Sequence, residues 1–260
     1  MTRQKLGQHF LGDLTWRKRI LQTLNVAGGE NWLEIGSGHG EMTELLARAG
    51  ARVTAIETDS ELAEGLAERS AAWEDVKVVP GDVLQLDLRE LAGEGVRVYG
   101  NLPYYITSPI LRHLFAVADR ISSIDIVIQF EVAERIVAPP GRRAHGYLSA
   151  LCQFYSKPEI VLRIPPGAFR PPPEVNSALV SMTMPGERAT LNIADEPRFL
   201  EFLQTCFGQK RKTLRNNLRG LASGPKIEAA LLSHQIPTTA RAEELTLKQF
   251  AAMYDAMRKM

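Results

Sequence analysis

Between about residues 31 and 184 short apolar runs alternate with amphipathic segments, and this alternation constrains the fold more than any other feature of the chain. "NWLEIG", "ARVTAIE", "VKVVPGD", "VRVYGN" and "SIDIVIQF" read as strands. "EMTELLARAG", ending at Gly50, "DSELAEGLAERS", with Asp59 or Ser60 as its cap, and "SPILRHLFAVAD" read as helices between them. Strands that are apolar almost throughout have no face to offer water, so they require a parallel sheet covered by helices on both sides. The expected fold is therefore α/β, a doubly wound, Rossmann-like sheet. Two later runs, "KPEIVLRI" and "NSALVSMTM", lie close in sequence and predict an antiparallel pair at one edge. In the second, Ala178, Val180, Met182 and Met184 alternate with Ser177, Leu179, Ser181 and Thr183.

Beyond "PGER", at 185 to 188, strand signals stop. "EPRFLEFLQTCF" places Phe199, Leu200, Leu203 and Phe207 on one helical face, and at least two further helices follow. The pattern predicts a first domain over residues 1–185, with a lead-in of about thirty residues holding one helix from about Asp13, and a small all-helical domain over residues 186–260. Cys152 and Cys206 sit in apolar, helix-like contexts without a CxxC, as expected of reduced thiols in a cytoplasmic protein. No apolar run reaches membrane-spanning length and the first residues lack a secretory core, so no membrane role is expected. The five histidines show no helical pair at ligand spacing, and no metal is expected. There is no GxSxG, and "GSGHG" lacks the Lys-Ser/Thr ending of a phosphate loop.

"LEIGSGHGEM" places Gly36, Gly38 and Gly40 directly after a strand and at the start of a helix. Backbone there can approach a ligand closely, and free helix N–H groups can bind it. Glu57 ends the next strand, where a carboxylate can accept both hydroxyls of a ribose; Asp82 ends the third strand and Asn101 the fourth. In a doubly wound sheet these strand ends line one crevice. Each residue alone has a plain reading as a turn, a helix cap or a solvated loop. Together they point to a nucleoside-containing cofactor. The loop reads GxGxG after Glu34, which breaks the GxGxxG spacing of dinucleotide sites. With no pyrophosphate to cradle, and with Asn-Leu-Pro-Tyr after the fourth strand, S-adenosylmethionine fits better.

Across nearly its whole length the sequence resembles the ribosomal RNA adenine dimethyltransferases, most of all the bacterial enzymes acting on the small subunit. The resemblance rests on "GQHFL", "EIGSGHGEMT", "AIETD", "GDVLQLD", "NLPYYITSPIL", "EVAERIVAPPG", "FRPPPEVNSALV", "CFGQKRKTLRNNL" and "RAEELTLKQF", in that order. It implies a class I methyltransferase sheet with a small helical C-terminal domain. It further implies contacts to S-adenosylmethionine from His9, Leu11, Gly36, Glu57, Asp82 and Asn101, to which the glycine pattern adds Gly38. The implied reaction is dimethylation of the 6-amino groups of two adjacent adenosines near the 3′ end of 16S rRNA, in the immature 30S subunit, by a monomer. The sequence departs from the family at His9, where Asn is usual, at Asn176, where Asp is commoner, and at Phe130, where Lys is usual.

The resemblance also gives the stretch "NLPYY" a chemical reading. An adenine amine is a poor nucleophile because its lone pair is delocalised into the ring. The amide oxygen of Asn101 and the main-chain carbonyl of Leu102 or Pro103 can accept its two hydrogens and favour the pyramidal form. Tyr104 offers a flat face to an unstacked base, and Phe169 of "FRPPP" covers the other face, with Pro171 to Pro173 stiffening the loop. Tyr105 reads as structural. The sulfonium needs no matched general base, so positioning is the main task.

Net charge is only +1, so affinity for RNA must come from local clusters. No acid occurs between Glu201 and Glu228, while Lys210, Arg211, Lys212, Arg215, Arg219 and Lys226 do. Arg142 and Arg143, in a Pro/Gly loop, read as reaching toward the same mouth, and Arg3, Lys5, Arg17, Lys18 and Arg19 form a second basic group. Three other readings share parts of this pattern. A large-subunit rRNA enzyme of the macrolide-resistance type has the same fold and motif, but "FRPPPEV" and "RAEELTLKQF" fit the small-subunit branch better. A small-molecule methyltransferase has no use for a basic helical appendage. A ribosome-assembly factor with vestigial activity has no need of an intact Asn101-to-Tyr104 motif.

Overall fold

The computed structural model describes residues 9–103 and 106–258. The chain forms β1 (Phe10–Leu11), α1 (Leu14–Leu24), β2 (Asn31–Ile35), α2 (Glu41–Arg48), β3 (Arg52–Glu57), α3 (Ser60–Ser70), β4 (Val76–Pro80), α4 (Leu88–Leu91), β5 (Val96–Asn101), α5 (Thr107–Phe115), β6 (Ile121–Gln129) and α6 (Phe130–Val137). It continues through α7 (Tyr147–Tyr155), β7 (Lys157–Ile164), β8 (Phe169–Arg170), β9 (Ser177–Thr183), α8 (Arg188–Leu191), α9 (Glu196–Cys206), α10 (Leu214–Asn217), α11 (Gly224–Ser233) and α12 (Leu247–Arg258). Two compact units result. One holds the chain up to Ala133 together with Lys157–Met184, and the other holds Glu134–Ser156 with the chain from Pro185 onward. The chain thus passes between units three times, where the sequence suggests a single boundary after residue 185. Aromatic contacts explain the extra crossings: Phe154 on α7 meets the ring of Phe199 on α9 at 5.3 Å.

In the first unit the strands form a seven-stranded sheet in the order β4-β3-β2-β5-β6-β9-β7. The strands from β4 to β6 are parallel, and β9 and β7 extend the sheet as an antiparallel pair. β6 is buried from Ser123 through Ile128, as expected of an interior strand covered on both faces. β9 lies between β6 and β7, so its two residue types are buried alike; Ser177 and Leu179 are as enclosed as Ala178 and Val180. The edge is β7. From β2 and β5 the order runs outward both ways, to β3 and β4 on one side and β6 on the other. This reversal point is where doubly wound sheets open a crevice at their carboxyl ends. Gly100 allows the close approach there: a Cβ would sit 3.0 Å from the carbonyl oxygen of Ile35 and 2.8 Å from the side chain of Leu102.

The lead-in does more than precede the sheet. Asp13 caps α1 by accepting the N–H groups of Thr15 at 2.7 Å and Trp16 at 3.2 Å. Just before it, β1 pairs with β8 in a two-residue antiparallel ribbon, Leu11 opposite Phe169 and Phe10 opposite Arg170. Leu11 and Phe169 join one apolar cluster with Trp32, Tyr99 and Leu179.

The far end of α1 is held by Arg97 of β5. Its guanidinium donates to the carbonyl of Leu24 at 2.8 Å and to the Ser123 hydroxyl at 3.1 Å, and it lies 4.2 Å from the Trp32 ring centroid. Glu30 at 3.3 Å and Asp125 at 3.6 Å supply the countercharge. Burial pushes the Asp125 carboxyl up, and a hydrogen bond from Ser181 and the charge of Arg97 pull it part of the way back. Among the described residues no helix is long and apolar enough to cross a membrane.

The second unit is all-helical and organised around rings. Phe199 and Phe202 of α9 each meet Tyr254 of α12, and Phe207 meets Phe250. His145 is buried beside Phe207 with Nδ1 2.8 Å from the Ala138 carbonyl. Cys152 and Cys206 are buried free thiols pushed far up by burial, which leaves them unreactive.

Replacing Arg97 with Met should leave Glu30 and Asp125 without their countercharge, though not without hydrogen-bond donors, and lower the unfolding free energy by about 2–4 kcal/mol. Urea denaturation reads this directly; a loss below about 0.5 kcal/mol, the range of ordinary surface changes, would show that Arg97 is not the clamp.

Candidate active site

At the carboxyl ends of β2, β3 and β5 a groove is lined by Gly36, Gly38, Glu57, Asp82, Asn101 and Pro103, with His9 and Phe10 of the lead-in beside them. All belong to the first unit. The glycine loop is held from below. Gly36 and Ser37 donate their N–H groups to the Ile56 carbonyl at 2.9 and 3.2 Å, and Gly38 donates to Glu57 Oε2 at 2.7 Å. Gly38 has φ +56, and a Cβ there would lie 2.9 Å from the Phe10 ring, so the position excludes any side chain. Glu57 Oε1 accepts the N–H of Asp59 at 3.0 Å. Each carboxylate oxygen keeps further acceptor capacity toward the groove. Asp82 shapes its own turn by accepting the N–H of Leu84 at 3.0 Å.

Asn101 donates its side-chain N–H to the main-chain carbonyl of His9 at 2.8 Å. With the amide nitrogen engaged there, its oxygen remains for a donor. The carbonyl of Pro103 already accepts from the Ile106 N–H at 3.2 Å and the Thr107 hydroxyl at 3.4 Å as α5 begins. Of the two main-chain carbonyls suggested by the sequence, that of Pro103 is therefore already engaged. Tyr104 and Tyr105 lie outside the described residues.

Two of the expected site residues have enclosed side chains. Phe169 is fully enclosed (0 % exposed) in the apolar cluster and offers no face to a base. The ribbon with β1 turns it inward and leaves Arg170 outward. Leu11 is likewise a buried core side chain; only its main chain could meet a ligand. His9, which replaces the expected Asn, places Nδ1 2.8 Å from the Pro171 carbonyl and so ties the lead-in to the Pro-rich loop. Phe130 stacks under Arg163 at 4.4 Å.

The basic residues divide. Lys210, Arg211 and Lys212 are exposed, as are Arg142 and Arg143, and all five belong to the second unit. Arg215 is paired with Glu228 at 2.8 Å. Lys18 and Arg19 are exposed, but Arg17 is not: its side chain turns in behind the glycine loop. Phe10 lines the groove and was missed by sequence reasoning, because nothing in its spacing separates it from loop or core; Arg17, read from the sequence as part of a basic group, lines a smaller cavity with Ser37 and Tyr99. Among the described residues no group of three or more His, Cys, Asp or Glu side chains is placed to hold a metal.

Beneath the loop Glu34 is wholly buried and accepts the Thr43 hydroxyl at 2.5 Å. Burial pushes its carboxyl up to about 8, with Glu41 and Glu57 adding repulsion.

A groove at this switch point, with an amide at the end of β5, belongs to the class I methyltransferases. The chain belongs to the ribosomal RNA adenine dimethylase family, whose sequence pattern matches residues 1–259. It is 46% identical over 253 residues to the ribosomal RNA small subunit methyltransferase A of Acidobacterium capsulatum, covering 96% of this chain and 89% of the relative. The protein of the same name from Koribacter versatilis is 39% identical over 269 residues, covering 98% and 94%. Among solved structures, a dimethyladenosine transferase from Plasmodium falciparum superposes with a TM-score of 0.78 at 22% identity over 96% of this chain and 98% of that one, a likeness of fold. The 23S rRNA methyltransferase ErmE superposes with a TM-score of 0.72 at 26% identity, covering 96% and 99%.

Glu34→Gln should keep the Thr43 contact while removing the proton equilibrium. Because the folded carboxyl binds its proton more tightly than the unfolded one, wild-type stability should fall as pH rises from about 4.5 to 8. The variant should therefore gain on wild type across that window, by a few kcal/mol in total. Parallel stability curves for the two proteins would show that Glu34 does not titrate there.

Proposed function

We propose that this protein transfers methyl groups from S-adenosylmethionine to the 6-amino groups of two adjacent adenosines near the 3′ end of 16S rRNA, acting on immature 30S subunits as a cytoplasmic monomer. The observation that carries this reading is Asn101. Its N–H is held by the His9 carbonyl, which turns the amide oxygen into a fixed acceptor beside the groove.

The residues present fit the cofactor. Glu57 has capacity left on both oxygens for a ribose diol, Asp82 stands nearby, and Ile56 and Val83 give apolar walls for a base. When bound, the cofactor supplies an electrophilic methyl on sulfur. The chain's own residues do the rest: Asn101 Oδ1 and the Leu102 carbonyl accept the two amine hydrogens and hold the nitrogen lone pair toward the methyl. Tyr104 would support the flipped base by stacking. Since Phe169 is enclosed, one aromatic face has to suffice or the base must be covered by RNA itself.

Substrate grip falls to the exposed Lys210, Arg211 and Lys212, with Arg142 and Arg143 in the same unit. The fold alone also suits a large-subunit enzyme, since ErmE shares it. The relatives at 39–46% identity over nearly the whole chain support the small-subunit reading.

Asn101→Ala should reduce single-turnover methyl transfer by about two orders of magnitude, far more than it weakens cofactor or RNA binding, because its oxygen matters most as the amine pyramidalises. A variant that transfers at the wild-type rate would remove Asn101 from the chemistry. Replacing Lys210, Arg211 and Lys212 together with Gln should flatten the log–log salt dependence of RNA binding by about two units, at roughly 0.7–0.9 per phosphate contact. An unchanged slope would make this run a solvated face.

A further inference from the structure

Behind the glycine loop lies a second, smaller cavity of about 30 Å³ that shares Phe10, Gly36, Gly38 and Asn101 with the groove. Arg17, Glu34, Ser37 and Tyr99 also line it. Tyr99 is 1% exposed and Ser37 6%, yet neither hydroxyl finds a hydrogen-bond partner among the described residues. The same holds for Nε of Arg17, a side chain only 16% exposed. Buried polar atoms are nearly always paired, so three of them around one cavity mark a place made to be filled.

The chemistry of the walls selects the occupant. Arg17 reaches in from α1. One end of its guanidinium donates to the Gly12 carbonyl at 3.2 Å and stands 3.9 Å from Glu41, which leaves the Nε–H uncommitted. A fixed cation and two hydroxyls make three donors, and three donors call for an anion with more than one oxygen. A water-sized group needs roughly 10–15 Å³, so the cavity takes about two, matching the oxygens of a carboxylate. Burial keeps the Tyr99 phenol protonated as a donor, and it holds Glu34 largely neutral at pH 7, so neither group repels an anion strongly; Glu41, the other carboxylate in the wall, faces the far end of the Arg17 guanidinium at 3.9 Å.

We propose that Arg17, with Tyr99 and Ser37, binds the α-carboxylate at the methionine end of S-adenosylmethionine. This rests on the cofactor reading above and adds a residue outside the glycine, Glu57 and Asn101 set. Gly36, Gly38 and Asn101 wall both spaces, so a ligand with its nucleoside in the groove has its amino-acid end next to the cavity. Arg17 then selects cofactors that carry the intact amino acid.

Calorimetry on the full chain with three ligands tests this: S-adenosylmethionine, its decarboxylated form, and 5′-methylthioadenosine, which lacks the amino-acid end. Arg17→Met should weaken S-adenosylmethionine about 10- to 100-fold and leave the other two within twofold. Arg17→Lys should recover part of the loss. Tyr99→Phe, which removes one unpaired hydroxyl and keeps the ring, should show the same selectivity with a smaller loss, and it decides the matter should Arg17→Met fail to fold. Equal weakening of all three ligands would mean that Arg17 only shapes the glycine loop, and the proposal falls. Wild-type affinities in both variants would leave the cavity to ordered water and overturn it too. A wild-type protein that binds none of the three would instead overturn the cofactor reading, and this proposal with it.

Discussion

The carboxylate of Glu57 holds the first unit's site in shape. From the end of β3 it reaches under the loop that follows β2 and accepts the Gly38 N–H at 2.7 Å, while its other oxygen anchors the Asp59 N–H at the entry to α3. Two strand ends and a helix start are fixed by one buried side chain. The loop can then sit with Gly38 at positive φ under Phe10, a geometry that only glycine tolerates. One carboxylate thus structures the loop and keeps further acceptor capacity beside the groove.

The lead-in supplies the second constraint. His9 contributes its carbonyl to Asn101 and its imidazole to the Pro171 carbonyl, while the Asp13 N–H bonds the Ala168 carbonyl at 3.1 Å. The β1–β8 ribbon lies between these points. The orientation of the Asn101 amide therefore depends on a segment about ninety residues earlier in the chain. In-line transfer gains most of its rate from such fixed geometry, since there is little acid–base chemistry for the protein to do.

The parallel sheet was legible because strand burial on both faces writes itself as continuous apolar runs, and the gathering of Gly36, Glu57, Asp82 and Asn101 around one groove was legible because doubly wound sheets bring their strand ends together. The antiparallel edge was also readable, although which strand is outermost was not: alternation of Ala178 and Ser177 types does not reveal that β9 has a neighbour on each side. Phe10 and Leu11 gave no sign of a strand, since a two-residue ribbon has no periodicity. The enclosure of Phe169 was hidden for a related reason, its inward turn being set by pairing with β1 rather than by its own neighbours. Tyr99 and Arg17 carry no local signal at all, because an orphaned hydroxyl or guanidinium nitrogen is visible only once the walls around it are in place.

The most direct measurement is methyl transfer from labelled S-adenosylmethionine to immature 30S particles, followed by nuclease digestion and nucleoside mass analysis with the position mapped. The account predicts dimethyladenosine at two adjacent sites near the 3′ end of 16S rRNA. Label confined to large-subunit RNA, or tight cofactor binding with no transfer to any RNA, would contradict it.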